Sequence, residues 1–141
     1  MHKELLNTLI SNDITTDMGN EIFDKLDKKW PKFISSKEDK DTLTLSLHIS
    51  EDIHWFAGHF PDKAVLPGVA QLHWAAELAT CIAGHLGSFK AASNVKFKKM
   101  ILPNEKVDLV LVVNTVKKTV AFTYKNKSDV FSSGSLLFEF K

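Results

Sequence analysis

Hydrophobic and polar residues alternate without a break from residue 42 to 49. Leu43, Leu45, Leu47 and Ile49 fall on one side, and Thr42, Thr44, Ser46 and His48 on the other. A period of two is the mark of a strand with one face on a core, and it leaves His48 on the solvated side. Further strands are predicted at 32–36, 92–99, 106–113, 119–124 and 130–140. A polar turn at 37–41 and breaks at Pro103-Asn104, Lys117-Lys118 and 126–129 separate them. Between the second and third strands, the segment at about 68–85 is apolar nearly all the way round a helical wheel. Val69, Ala70, Leu72, Trp74, Ala75, Ala76, Leu78, Ala79, Cys81, Ile82 and Ala83 describe a helix buried on most sides. One long helix among five or six strands in hairpin-like succession predicts an α+β protein with an antiparallel sheet packed on that helix.

Residues 1–30 read as a separate N-terminal helical extension, and residues 31–141 as the main domain. Leu5, Leu6, Leu9 and Ile10 recur at helical spacing. Met18, Ile22, Phe23, Leu26 and Trp30 do so again after the capping-rich Thr15-Thr16-Asp17. Such an extension packs against the main body or against a partner.

Composition narrows the function classes. The 141 residues, 44% of them hydrophobic, suffice for one core but leave little room to bury a long substrate inside a single copy. With 18 basic and 17 acidic residues the net charge is +1, so a general nucleic-acid binder is not expected. Cys81 has no second cysteine to pair with, no apolar run approaches the roughly 18 residues of a membrane span, and no signal-peptide core precedes the domain. A cytoplasmic location without membrane insertion is therefore expected.

Candidate chemistry concentrates in two stretches. The first, Trp55-Phe56-Ala57-Gly58-His59-Phe60-Pro61, sets one histidine in a loop bounded by glycine and proline. The second, Val65-Leu66-Pro67-Gly68-Val69-Ala70-Gln71, opens the long helix. A helix N-terminus offers backbone N–H groups without intrahelical partners and a partial positive charge. A loop that delivers a base beside it makes a site for enolate chemistry on a carbonyl, which points to acyl thioesters. On the helix, His73, Glu77 and Thr80 form one polar stripe at i, i+4 and i+7, and Val69 continues it toward the N-terminus. Buried ionisable groups are costly unless paired and concentrate at functional sites. His73 and Glu77 can equally be a hydrogen-bonded pair within an interface. One helical pair plus a distant loop histidine is a poor zinc set, so no metal is expected. No phosphate-cradling glycine loop or nucleophile elbow is present either, so no cofactor is expected.

These residues resemble the bacterial 3-hydroxyacyl-(acyl-carrier-protein) dehydratases of the FabZ/FabA type, whose fold is the hotdog, an antiparallel sheet wrapped around one long central helix. The resemblance rests on Phe56-x-Gly58-His59-Phe60-Pro61, on Leu66-Pro67-Gly68-Val69, and on Val95-Lys96-Phe97-Lys98-Lys99-Met100-Ile101-Leu102-Pro103. The Trp55-Phe56 lead-in and Leu66-Pro67-Gly68-Val69-Ala70-Gln71-Leu72 are most similar to the ApeI-like, aryl-polyene branch. It spans about residues 32–140 and excludes the N-terminal extension.

The resemblance implies a hydro-lyase that converts a 3-hydroxyacyl thioester, on acyl carrier protein or CoA, to the trans-2-enoyl thioester, as in fatty acid or aryl-polyene biosynthesis. It gives His59, following Gly58, the removal of the α-proton, a task suited to an imidazole with a pKa near 6.5. It gives the N–H of Gly68, next to Val69, the thioester oxygen, a contact typically worth ~3 kcal/mol in the transition state. The family's carboxylic acid, which protonates the departing hydroxyl, stands fourteen positions after the histidine, where this chain has His73. A protonated His73 can donate that proton, with Glu77 one turn on to hold it charged or to act as the acid itself. Asp62-Lys63-Ala64 also replaces the usual Gly-x-Pro, making that loop less rigid by composition.

The family further implies a homodimer, or a higher oligomer built from it, in which the helix of one copy faces the histidine loop of the other. Trp55, Phe60 and Trp74 are candidate tunnel or interface walls, and Lys96, Lys98 and Lys99 candidate contacts for an acidic carrier. Two other functions suit the same fold. One is thioester hydrolysis, with His73 or Glu77 activating water, and the other is a non-catalytic dimer that binds an acyl chain or a partner.

Overall fold

The computed structural model describes residues 30–50 and 65–140. The two predicted helices of the N-terminal extension, and the loop carrying Trp55, Gly58, His59 and Phe60, lie outside the described residues.

Six strands form one antiparallel sheet: β1 (Lys32–Asp39), β2 (Thr42–His48), β3 (Ser88–Phe97), β4 (Lys106–Asn114), β5 (Thr119–Lys125) and β6 (Val130–Glu139), in the spatial order β1-β2-β4-β5-β6-β3. Helix α1 (Gly68–Ala83) leads through a 3-10 turn (Gly84–Leu86) into β3. The sheet wraps its inner face around α1, which is the hotdog arrangement that the sequence predicts.

The alternation in β2 is read out directly. Leu43, Leu45 and Leu47 are buried, as are Val107, Leu109 and Leu111 opposite them on β4 and Val120, Phe122 and Tyr124 on β5. Into this surface α1 sets Ala70, Trp74, Ala75, Leu78, Ala79 and Ala83. The alanines let the helix approach the sheet closely while Trp74 and Leu78 fill the space between. Each large apolar side chain so buried contributes about 1.5–3 kcal/mol. Trp30 closes one end of the core, its ring 6.5 Å from that of Trp74 and 6.3 Å from that of Phe33. Trp74 is fully buried within the chain, so it serves as a core aromatic.

Several boundaries differ from expectation, each for a local reason. β1 runs on to Asp39 because residues 37–39, polar as they are, pair with Leu43 and its neighbours. The turn shrinks to Lys40-Asp41, with Lys40 at φ 55°. β3 starts at Ser88 and ends at Phe97, earlier at both ends than the predicted 92–99. It is an edge strand with almost every residue exposed, so no alternation marks its start. Its pairing with β6 is offset at Phe89/Ala91 and at Ser93/Lys96, where Asn94 takes φ 53°, as strand bulges do. Gly87, at φ +114°, makes the entry into β3. A Cβ there would stand 2.3 Å from the Glu139 carbonyl oxygen. His48 is half-buried, and desolvation, followed by the charges of Lys32 and Lys106, lowers its pKa. Both lysines pair with it in cross-strand register.

Candidate active site

The site is built where α1 begins. Leu66 N–H donates to the Ile101 carbonyl (2.9 Å), which fastens the approach to the helix onto the β3–β4 connection. Pro67 then takes an extended conformation (φ −63°, ψ 150°) as the N-cap, and its carbonyl accepts from the N–H groups of Ala70 (3.1 Å) and Gln71 (3.2 Å). Proline suits this position because the fixed φ presets the chain for the turn. It brings no side-chain acceptor to the helix end, and no acidic residue occupies the first turn. The positive end of α1 is thus not neutralised by its own side chains, and the first-turn N–H groups retain their affinity for an oxygen ligand.

Over this end lies an apolar concavity of about 620 Å³, lined among others by Leu66, Gly68, Leu72, Phe97 and Met100. Phe97 stands directly over Gly68, since a Cβ added to that glycine would come 2.6 Å from the tip of its ring. Glycine here admits a close approach to the helix end, and the half-exposed Phe97 ring roofs it.

Along α1 the polar stripe faces away from the sheet. Val69 and His73 are exposed, and Glu77 and Thr80 are half-buried. Thr80 Oγ1 donates back to the Ala76 carbonyl (2.8 Å), satisfying itself within the helix. The His73 ring lies against Trp30, with centroids 5.7 Å apart and planes at 44°. The helix that the sequence presents as buried nearly all round therefore has one open side. Val69, Leu72, His73, Ala76 and Glu77 lie toward it.

Of the predicted site residues, the structure places Gly68 and Val69 at the mouth of the concavity, and His73 and Glu77 one and two turns further along α1. Gly58 and His59 lie outside the described residues. Lys99 is bound to Asp129 at 2.7 Å, a contact that raises the lysine pKa, while Lys96 and Lys98 are exposed. Among the described residues no group of three or more His, Cys, Asp and Glu could hold a metal ion, and no helix is long and apolar enough to cross a membrane.

One feature of the site lies beyond the sequence reading. Gln71, buried in the first turn of α1, donates from Nε2 to the Leu66 carbonyl (3.2 Å) and accepts at Oε1 from the Ser132 hydroxyl (2.6 Å). The Tyr124 hydroxyl donates to the Gln71 carbonyl (2.7 Å), and burial pushes the phenol pKa well above its ordinary value. Gln71, Tyr124 and Ser132 stand on three elements far apart in the chain, which gives no sequence signal that they meet.

Comparison with known proteins agrees with this geometry. The ApeI-like family, described as ApeI dehydratase, matches residues 35–135. The 3-hydroxyacyl-[acyl-carrier-protein] dehydratase FabZ of Rhizobium etli is 27% identical, over 99% of this chain and 92% of its own length. The FabZ of Lactococcus lactis subsp. cremoris is 31% identical over 70% of this chain and 74% of its own. Among solved structures, the dehydratase heterocomplex ApeI:P from Xenorhabdus doucetiae superposes with a TM-score of 0.71 at 27% identity, covering 77% of this chain and 96% of that one. A protein from Erwinia carotovora does so with a TM-score of 0.66 at 32% identity, covering 77% and 94%. With the sheet, the helix end and the matched span in agreement, the chain belongs to the ApeI-like dehydratase family of the hotdog fold.

Proposed function

We propose that this protein removes water from a 3-hydroxyacyl thioester carried on acyl carrier protein or CoA, giving the trans-2-enoyl thioester. The observation that carries the reading is the start of α1. A helix end at Pro67-Gly68 with no side-chain cap from Pro67 and no acidic residue in its own first turn opens into an apolar concavity, with a histidine further along the outward side of the same helix.

The roles follow from the chemistry. The thioester oxygen sits at the Gly68 N–H, where the helix end stabilises the charge that develops as the α-carbon loses its proton. His59 is the base. The Cα–H bond breaks toward its imidazole, the electron pair forms the new double bond, and the C3–O bond breaks as its hydroxyl takes a proton and leaves as water. His73 donates that proton, and Glu77, one helical turn on, sustains the imidazolium.

The second half of the site comes from a second copy of this chain. The α1 stripe faces outward, and β3 is an edge strand exposed almost throughout. Phe89, Phe97, Met100 and Leu102 are large exposed apolar residues on it or just after it. Strand addition along that edge buries them and brings two outward helix faces together. The ligand needs no cofactor beyond its own pantetheine arm.

Carrier protein loaded with a series of 3-hydroxyacyl groups, incubated with wild type and with His59→Ala and followed by intact mass, tests the reading. The expected outcome is loss of one water from the loaded carrier, abolished in the variant. Loss of the entire acyl group would make the protein a thioester hydrolase, and unchanged carriers throughout would make it a binding module.

A further inference from the structure

Three buried groups that take no part in the proton transfers converge on the first turn of α1. Leu66 O can only accept, so the Gln71 amide must turn its NH₂ toward it, and its oxygen is left facing Ser132. Ser132 in turn must donate, which it does at 2.6 Å, and Ser132 itself is fully buried on β6. From β5, Tyr124 reaches the Gln71 carbonyl at 2.7 Å, and with its pKa raised by burial it remains a neutral donor. Each hydrogen bond has one possible direction, so the arrangement has a single ground state.

Its position gives it more than a packing role. Leu66 and Gln71 bracket Pro67, Gly68, Val69 and Ala70, and the side-chain bond from Gln71 to Leu66 closes a ring around the peptide of Gly68. That ring is tied on three sides: to β6 through Ser132, to β5 through Tyr124, and to the β3–β4 connection through Leu66 N and Ile101 O. Pro67 brings no side-chain cap, so among the described residues Gln71 supplies the side-chain hydrogen bond that spans the helix start.

We infer that Gln71 is a positioning residue which, braced by Ser132 and Tyr124, fixes the direction of the Gly68 N–H toward the substrate oxygen. The inference rests on the reading of Gly68 given under Proposed function. A donor of this kind acts in the transition state, and an error of a few tenths of an ångström in its aim lowers kcat while leaving ground-state binding nearly unchanged. A simple structural brace would lower the melting temperature and leave the folded enzyme as fast as before.

Gln71→Met keeps the volume and removes both side-chain bonds. Ser132→Ala removes one support, and Ser132→Thr restores a hydroxyl. Steady-state kinetics well below each melting temperature, with the Gly68 amide signal followed by ¹⁵N NMR, give two independent readouts. The expected result is a kcat loss of about tenfold or more in Gln71→Met with KM within about twofold, a smaller loss in Ser132→Ala, and recovery in Ser132→Thr. The Gly68 signal is expected to shift in the first two variants and to return in the third. Unchanged kcat in Gln71→Met and Ser132→Ala, with only the melting temperature lowered, would overturn the inference. If wild type dehydrates no carrier, the functional reading has failed. The Gly68 signal then decides the bracing alone: a shift in Gln71→Met and Ser132→Ala upholds it, and an unmoved signal overturns it.

Discussion

Toward the sheet, α1 presents Ala70, Trp74, Leu78 and Ala83, all buried. Away from it, the same sixteen residues present Val69, His73 and Glu77, which the described chain leaves open or half-open. The first face follows packing rules, in which volume and shape decide and chemistry hardly matters. The second is largely open in the described chain, with the His73 ring resting against Trp30, and carries ionisable groups. One helix thereby positions chemistry with an accuracy set by the packing of its other side, which separates stability from activity by only half a turn.

That separation is open to attack by substitution. Trp74→Ala, on the inner face, is expected to cost about 3–5 kcal/mol by emptying the centre of the core, and chemical denaturation measures it. His73→Ala, on the outer face, is expected to slow dehydration by about a hundredfold while stability stays within about 0.5 kcal/mol, because no core volume is lost. If His73→Ala instead costs as much stability as Trp74→Ala and spares activity, the two faces do not differ in kind. Glu77→Gln sharpens the outer face further. About a tenfold loss of activity in steady-state kinetics, with stability again within about 0.5 kcal/mol, is expected if the carboxylate supports proton donation by His73.

The smallest effect is remote from both faces. His48 has its pKa lowered by burial first and by Lys32 and Lys106 second, so the folded state resists its protonation. Where a folded-state histidine pKa lies below the unfolded one, the unfolded chain binds the extra proton. Stability from this residue is therefore intact above the unfolded value of about 6.5 and declines as pH falls below it. His48→Gln is expected to lessen the loss of stability as pH falls below about 6.5 in thermal melts, without altering turnover.

How far the sequence carried depended on how much water each segment excludes. β2, β4 and β5 each have one wet and one dry face, so their alternation is plain, and α1 is plain from its length and apolar content. Burial does not constrain Lys37, Glu38 and Asp39 at the end of β1, or Ser88 to Asn94 in β3. Their strand character comes mainly from backbone pairing, which leaves no alternation in side-chain polarity. The helix end was legible from Pro67-Gly68. The bracing of that end was not, because Gln71, Tyr124 and Ser132 are separated by 53 and 61 residues and meet only through the order of the sheet. The apolar look of α1 on all sides was legible too, but it does not say which side the chain covers itself.

The bulged edge at β3 also sets terms for a newly made chain. A strand whose outer backbone groups face solvent is a template for any extended peptide. The offsets at Phe89/Ala91 and Ser93/Lys96, together with the charges of Lys90 and Lys96, break that template into short runs. A strand with matching offsets can add along its whole length, whereas a regular one gains only a few ladder bonds. If two copies pair along this edge as proposed, the fidelity of that pairing rests on the irregularities of a single strand, and smoothing them by substitution would produce a chain that sticks more readily and to the wrong neighbours.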